Sequence, residues 1–184
     1  MLAACALIAA CAPLPRGPQQ VLDARTGASL LVVSSPIVLA RERRDVAVRA
    51  RDYLTLVAAE SDESGQRRLV LVAHRWSTID TRAAGTPGAD DRRLLLVADG
   101  RDFALTPLPA ESSAPFLESA AVFRPTRALA ETSVYLVDRA TLAFLGSSHS
   151  LGASFPESAL TLPFSPWLDG RAALTEFLEG LGPS

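Results

Sequence analysis

A chain of 184 residues, 48% of them hydrophobic, is long enough to form one domain with a substantial core. The formal net charge of −2, without a basic stripe, argues against a nucleic-acid partner. All 18 basic residues are arginine, which is typical of a GC-rich genome and weakens any assignment of a single arginine to phosphate recognition. Both cysteines precede residue 12, so the remaining chain has no disulfide, thiol nucleophile or thiolate metal site.

The chain begins with an apolar segment, Met1 to Ala10, that has no charged side chain. About ten apolar residues are too few to span a bilayer as a helix, which needs about twenty, but they fit the apolar core of an export signal. The segment ends in "LIAAC", which places Ile8 three positions before Cys11. This pattern resembles the lipobox of bacterial lipoproteins, as in small envelope lipoproteins of proteobacteria. The alternatives are a second such box ending at Cys5 and an ordinary alanine-rich N-terminus.

The resemblance implies that Cys11 is the first mature residue, carrying lipid on its thiol and an acyl chain such as palmitate on its amino group. Several chains give a stable membrane anchor, whereas one gives marginal binding. In this family, Ala12 rather than Asp after the cysteine implies the outer membrane, facing the periplasm; the inner membrane and secretion are the alternatives. We expect a signal peptide at 1–10, the lipidated cysteine and a Pro-rich tether at 11–20, and one β-rich domain at 21–184.

Alternating apolar residues and turn signals predict a mainly β domain. Antiparallel hairpins are expected around residues 25–27, around "SDESGQ" and, most firmly, around Asp99-Gly100, because Asp-Gly favours a left-handed turn. The strand at 69–73 is apolar on both faces and is expected to be central. Further strands are predicted in "PIVLA", "DVAVRA", "SAAVF", "TSVYLV", "SLGASFP" and "SALTLPF", and loops in "TRAAGTPGADD" and "PLPAESSAP".

Two short helices are predicted near the C-terminus. Asp138 caps the first, "RATLAFL", and Gly146 ends it. Asp169 caps the second, in which four apolar residues recur at helical spacing on one face: Leu174, Phe177, Leu178 and Leu181. The fold expected is an antiparallel sandwich or curled sheet of about eight strands with two helices, or alternatively an α+β fold.

A symmetric turn in "SDESGQ" would bring together a candidate binding patch of six residues. Directly opposed residues on a sheet are in contact range, so three cross-strand pairs are expected. They are Tyr53 with His74, Asp52 with Arg75, and Arg51 with Trp76. The alternative is that these pairs only fix the strand register. Trp167 is expected to pack beneath the last helix; the alternative is an exposed ring in a binding patch.

No constellation of catalytic or metal-binding residues emerges, so no catalytic residue, metal or cofactor is assigned. The two histidines, His74 and His149, are far apart in sequence and have no carboxylate at a ligand spacing. The favoured function is a lipid-anchored envelope protein with a non-enzymatic binding or assembly role, its partner another envelope protein. The alternatives are a small-molecule-binding lipoprotein, with a cavity between sheet and helices, and an anchored hydrolase that uses His74 or His149.

Overall fold

The fold is seen in a computed structural model, which describes residues 17–22, 27, 29–44, 49–79, 92–119, 123–126, 130–156 and 162–182. The predicted signal peptide, Cys11 and the loop at 81–91 lie outside the described residues. Among those described, no helix has the length and apolarity needed to cross a bilayer.

The prediction of a mainly β fold is confirmed: the described residues form ten antiparallel strands in two sheets and three helices. The strands are β1 (Gln19–Leu22), β2 (Ser29–Val32), β3 (Ile37–Glu42), β4 (Arg51–Glu63), β5 (Gln66–Ser77), β6 (Leu94–Ala98), β7 (Arg101–Leu105), β8 (Glu131–Leu136), β9 (Leu151–Ser154) and β10 (Ser165–Leu168). The helices are α1 (Ala110–Ser119), α2 (Arg139–Ser147) and α3 (Arg171–Gly180). The first strand begins two residues before the predicted domain boundary at residue 21.

The larger sheet is built around β4, which is 13 residues long. β5 pairs with its whole length on one side, while β3 and β2 pair with its first and last parts on the other. β1 lies outside β2, β10 outside β3, and β8 outside β5. The segment at 69–73 therefore lies between two strands, as predicted, and Val70 and Val72 are fully buried.

The smaller sheet has the order β7-β6-β9 and is joined to the larger one at both edges. Ala153, in β9, exchanges two backbone hydrogen bonds with Phe164, directly before β10. At the other edge, Pro107 bridges Tyr135 in β8. Backbone pairing thus follows a closed circuit through eight strands, β10-β3-β4-β5-β8-β7-β6-β9. The inner surface of this circuit contributes much of the hydrophobic core.

The hairpin between β4 and β5 is confirmed, but the predicted register is wrong. The turn consists of Ser64 and Gly65, both with positive φ, and Glu63 pairs with Gln66. The side chain of Asp62 supports the turn by accepting a hydrogen bond from the Gly65 N–H at 2.9 Å. The turn centre lies one residue later than the symmetric prediction, so every cross-strand partner moves by two positions.

The hairpin between β6 and β7 has the predicted Asp-Gly turn. Asp99 and Gly100 have φ values of 46° and 77°, the left-handed conformation that matches the twist of the flanking strands. Asp99 adds contacts to the segment before β9, because its carboxylate accepts hydrogen bonds from the backbone N–H groups of His149 and Ser150. These bonds lower the pKa of Asp99 to about 2.

Replacing Gly100 by valine is expected to lower the free energy of unfolding by about 1–3 kcal/mol, because a β-branched residue resists positive φ. A Cβ here would meet no atom within 4 Å, so the cost comes from the backbone conformation. Gly100→Asn is the matched control, since asparagine tolerates this conformation and should retain more of the stability. Equal urea midpoints for Gly100→Val and wild type would contradict this role of the turn.

Both predicted helices are present, with corrections at their ends. Asp138 caps α2 by accepting a hydrogen bond from the Thr141 N–H at 2.6 Å. Gly146 does not end this helix, which continues to Ser147; a Cβ on Gly146 would instead lie 3.2 Å from Thr175 Oγ1 of α3. Gly146 therefore allows the two helices to approach closely.

The last helix, α3, presents the predicted apolar stripe to the core. Its members Leu174, Phe177, Leu178 and Leu181 are all buried. The residue at the N-cap is Gly170, not Asp169 as predicted. A Cβ on Gly170 would overlap the carbonyl of Pro36. Because glycine has no side chain, the start of α3 can pack closely against the segment before β3.

Several local predictions are wrong. The segment "PLPAESSAP" was expected to be a loop, but α1 begins within it at Ala110 and continues to Ser119. Of the predicted "SAAVF" strand, residues 120–122 lie outside the described part of the chain, while Ser119 is helical and Phe123 is not in a strand. In "DVAVRA", residues 45–48 lie outside the described part, and Arg49 has a φ of 80°, which is incompatible with a strand. In "SALTLPF" only residues 162–164 are described and none belongs to a strand, whereas β10 directly follows.

Candidate functional site

The six residues of the predicted patch lie where expected in β4 and β5, but their contacts differ. Paired residues share one face of a sheet, and alternate residues point to opposite faces. We call the face towards the second sheet the inner face and the opposite one the outer face. Arg51, Tyr53, His74 and Trp76 belong to the outer face, and Asp52 and Arg75 to the inner face. The shift of two positions in register leaves this division unchanged but replaces all three predicted pairs.

On the outer face, Tyr53 is paired with Trp76 and not with His74. Their rings are stacked, with centroids 4.3 Å apart and planes inclined by 13°. The ring of Trp167, in β10, packs edge-to-face against Tyr53. Their ring centroids are 5.8 Å apart and their planes are inclined by 84°. Three aromatic side chains from three strands are therefore in contact on one surface.

The predicted contact between Arg51 and Trp76 is also replaced. The Arg51 guanidinium lies over the Trp167 ring, 4.6 Å from its centroid, a cation–π arrangement. Trp167 was expected to pack beneath the last helix, but it is 56% exposed. We define Arg51, Tyr53, Trp76 and Trp167 as the aromatic patch.

The strand β10 positions Trp167 at this surface. It pairs with β3, and a register shift between Pro166 and Leu168 places Leu168 opposite Val38. Val38 pairs in turn with Thr55, on the outer face, so Leu168 is adjacent to the aromatic patch. Leu168 is 49% exposed, which extends the apolar surface beyond the rings.

Asp52 has a structural environment on the inner face. The predicted ion pair with Arg75 is wrong, because Asp52 Oδ2 accepts hydrogen bonds from Arg41 Nε at 2.9 Å and from Arg43 at 3.4 Å. The Arg41 and Asp52 side chains are only 8% and 6% exposed, and Arg41 also lies over the Phe164 ring at 4.5 Å. This buried pair joins β3, β4 and the segment that connects the two sheets.

Arg75 lines a small recess on the inner face instead of contacting Asp52. Its guanidinium lies 5.1 Å from the centroid of Phe155, and Tyr135 borders the same recess. Tyr135 donates a hydrogen bond to the carbonyl of Arg92 at 2.6 Å, and burial raises its pKa to about 12. The recess has a volume of about 10 Å³, which is room for a single water molecule at most.

The two histidines occupy different parts of the fold. His74 is fully buried in β5, level with Thr55, and its Nδ1 lies 2.9 Å from Thr132 Oγ1 in β8. The His149 side chain is 97% exposed and its Nδ1 lies 3.6 Å from Asp99 Oδ2, beside the Asp-Gly turn. The described contacts do not bring the two rings together. Within the same described ranges, no group of three or more His, Cys, Asp or Glu side chains is arranged to hold a metal ion.

Comparison with protein-family models, with curated proteins and with solved structures finds no match to this chain.

For Trp167, sequence reasoning favoured packing beneath the last helix over exposure in a binding patch, and it did not single out Leu168. Their segment, "LPFSPWLDG", has no alternation of apolar and polar residues that would indicate a strand, and all four residues of β10 are exposed. A tryptophan next to a helix start is equally compatible with packing under that helix. Only the pairing of β10 with β3 brings Trp167 to Tyr53, and that long-range pairing leaves no local sequence signal.

Proposed function

We propose that this protein is a lipid-anchored protein of the bacterial envelope with a non-enzymatic binding role. The observation that carries the binding role is the exposure of Trp167 within the aromatic patch. Tryptophan, tyrosine and arginine are the residues that most often dominate the energy of binding surfaces. A large exposed aromatic surface rimmed by polar residues is typical of interaction sites.

The lipobox-like segment "LIAAC" supports the anchoring half of the proposal. It places small residues directly before Cys11, and the Pro-rich stretch after it suits an extended tether between the membrane and the domain. In this account the anchor holds the domain at the membrane, and the aromatic patch binds another component of the envelope. The outer membrane, facing the periplasm, is the proposed location.

Metabolic labelling tests the anchor. Cells that express the protein and are fed an alkyne fatty acid should yield a labelled chain, and Cys11→Ser should abolish the label. Cys5→Ser is the matched control and should be labelled like the wild type, because Cys5 would be removed with the signal peptide. Label that persists in Cys11→Ser, or that disappears only in Cys5→Ser, would refute the assignment of Cys11.

A further inference from the structure

The aromatic patch has an amphipathic composition that suits a membrane–water interface. Trp167 and Leu168 are adjacent and about half exposed. The Trp167 ring contacts Tyr53, which is itself stacked on Trp76. Tryptophan and tyrosine are enriched at membrane interfaces because their rings have an apolar body and a polar atom.

The surroundings of the patch carry an excess of positive charge. Residues 41–44 and 49–52 contain five arginines and two carboxylates, which gives these eight described residues a net charge of +3. The arginines are Arg41, Arg43, Arg44, Arg49 and Arg51. Arg41 and Arg43 bind Asp52 on the inner face. The cations beside the patch are therefore Arg44, which is 84% exposed, Arg49 and Arg51, with Glu42 as the one carboxylate of these segments on that side. This end of the larger sheet is therefore complementary in charge to an anionic surface, although the whole chain is slightly acidic.

The direction of β1 places the proposed anchor towards the same end. Through β2, Gln19 lies level with Ala59 of β4, and Leu22 lies level with Asp62. The chain thus enters β1 from the direction of Tyr53, which lies six residues, or about 20 Å, further along β4. Cys11 is eight residues before Gln19, a length that reaches at most about 27 Å. A lipid on Cys11 can therefore hold the patch end of the domain next to the bilayer.

We infer that the aromatic patch and Leu168 rest on the headgroup region of the bilayer and that the neighbouring arginines contact anionic phospholipid headgroups. This inference rests on the proposed lipid anchor and names the partner of the patch as the membrane surface itself. The anchor supplies proximity, and the patch fixes the orientation of the domain. An anchored domain with a fixed orientation presents its opposite end, at the β4–β5 turn, to the periplasm.

Fluorescence quenching by brominated lipids tests this orientation. Lipidated Trp76→Phe has Trp167 as its only tryptophan and is reconstituted through its anchor into vesicles of phosphatidylethanolamine and phosphatidylglycerol with brominated acyl chains. Trp167 should be quenched at least twofold more than a tryptophan introduced by Leu22→Trp in a Trp76→Phe, Trp167→Phe background. Leu22 is the matched position because it is 69% exposed and lies nine residues, about 30 Å, from the level of Tyr53.

Flotation of the protein with vesicles reports the anchor independently, so a failure of the inference alone can be distinguished from a failure of the anchor. Strong quenching of Trp167 that decreases when phosphatidylcholine replaces phosphatidylglycerol supports the inference. Equal quenching at both positions, or none at Trp167, in protein that floats would overturn it and would leave the patch to a protein partner. Protein that does not float would refute the anchor, and the inference would be refuted with it.

Discussion

Phe177→Ala is expected to lower the free energy of unfolding by about 3–5 kcal/mol, one of the two largest effects predicted for this chain. The Phe177 side chain is completely buried in the stripe by which α3 packs onto the core. Truncation removes a large apolar contact and leaves a cavity that the neighbouring helix and strands can fill only in part. Such a loss is a large share of a typical domain stability of about 5–15 kcal/mol. Urea denaturation followed by circular dichroism measures it.

Glu176→Ala is the control for this substitution. Glu176 precedes Phe177 in the same helix but is exposed, so its truncation should change the unfolding midpoint very little. Equal effects of the two substitutions would contradict the assignment of α3 to the core. If Phe177→Ala kept wild-type stability, the stripe would not be enclosed as described.

Asp52→Ala is expected to cost a further large amount of stability, about 3–5 kcal/mol, because it leaves the Arg41 guanidinium buried without its carboxylate. The two side chains form hydrogen bonds in a nearly solvent-free position, and Arg41 has an aromatic ring on its other side. A double variant, Asp52→Ala with Arg41→Met, should be more stable than Asp52→Ala alone, since it removes the stranded charge. Thermal unfolding of the wild type, Asp52→Ala, Arg41→Met and the double variant measures the coupling.

An exposed ion pair at the end of β3 provides the control. Glu42 lies 2.8 Å from the side chain of Arg44, and this contact lowers the pKa of the Glu42 carboxyl. Because water screens such pairs, Glu42→Ala should lower the unfolding midpoint far less than Asp52→Ala. A similar loss from Glu42→Ala and Asp52→Ala would show that burial of the Asp52 pair is not what stabilises this end of the sheet.

Local signals predicted the hairpins and the last helix because the residues that decide them are close in sequence. The turn between β6 and β7 requires positive φ at two adjacent positions, and few residue pairs other than Asp-Gly adopt that conformation readily. The stripe of α3 repeats at a spacing that suits only a helix lying on a core. In both cases the local preference and the final packing agree.

The cross-strand contacts could not be predicted because several residues in "SDESGQ" are able to form a turn. The chain turns at Ser64-Gly65, where Gly65 tolerates a φ of 83° and its N–H donates a hydrogen bond to the Asp62 carboxylate. A displacement by one residue kept each side chain on its predicted face and changed every partner. The outer face therefore keeps Arg51, Tyr53 and Trp76 close together, whereas Asp52 and Arg75 lie on the inner face in either register and His74 is fully buried.

The helix α1 was not predicted because its sequence lacks the usual helical signals. Prolines surround and interrupt "PLPAESSAP", and proline disfavours a helix interior. The helix begins directly after Pro109, and Ser113 Oγ donates hydrogen bonds to the carbonyls of Leu108 and Pro109 near this start. Phe116 is almost fully buried, so tertiary packing overrides a weak local preference.

The mass of the mature N-terminal peptide tests the central claim, that this is a lipoprotein anchored through Cys11. Protein purified from the membranes of its own host, or of a bacterium with the lipoprotein pathway, is digested and the N-terminal peptide is measured by mass spectrometry. The account predicts a peptide that begins at Cys11 and carries the added mass of a diacylglycerol group and an acyl chain. An unmodified Cys11 within a longer peptide that retains residues 1–10 would contradict the account.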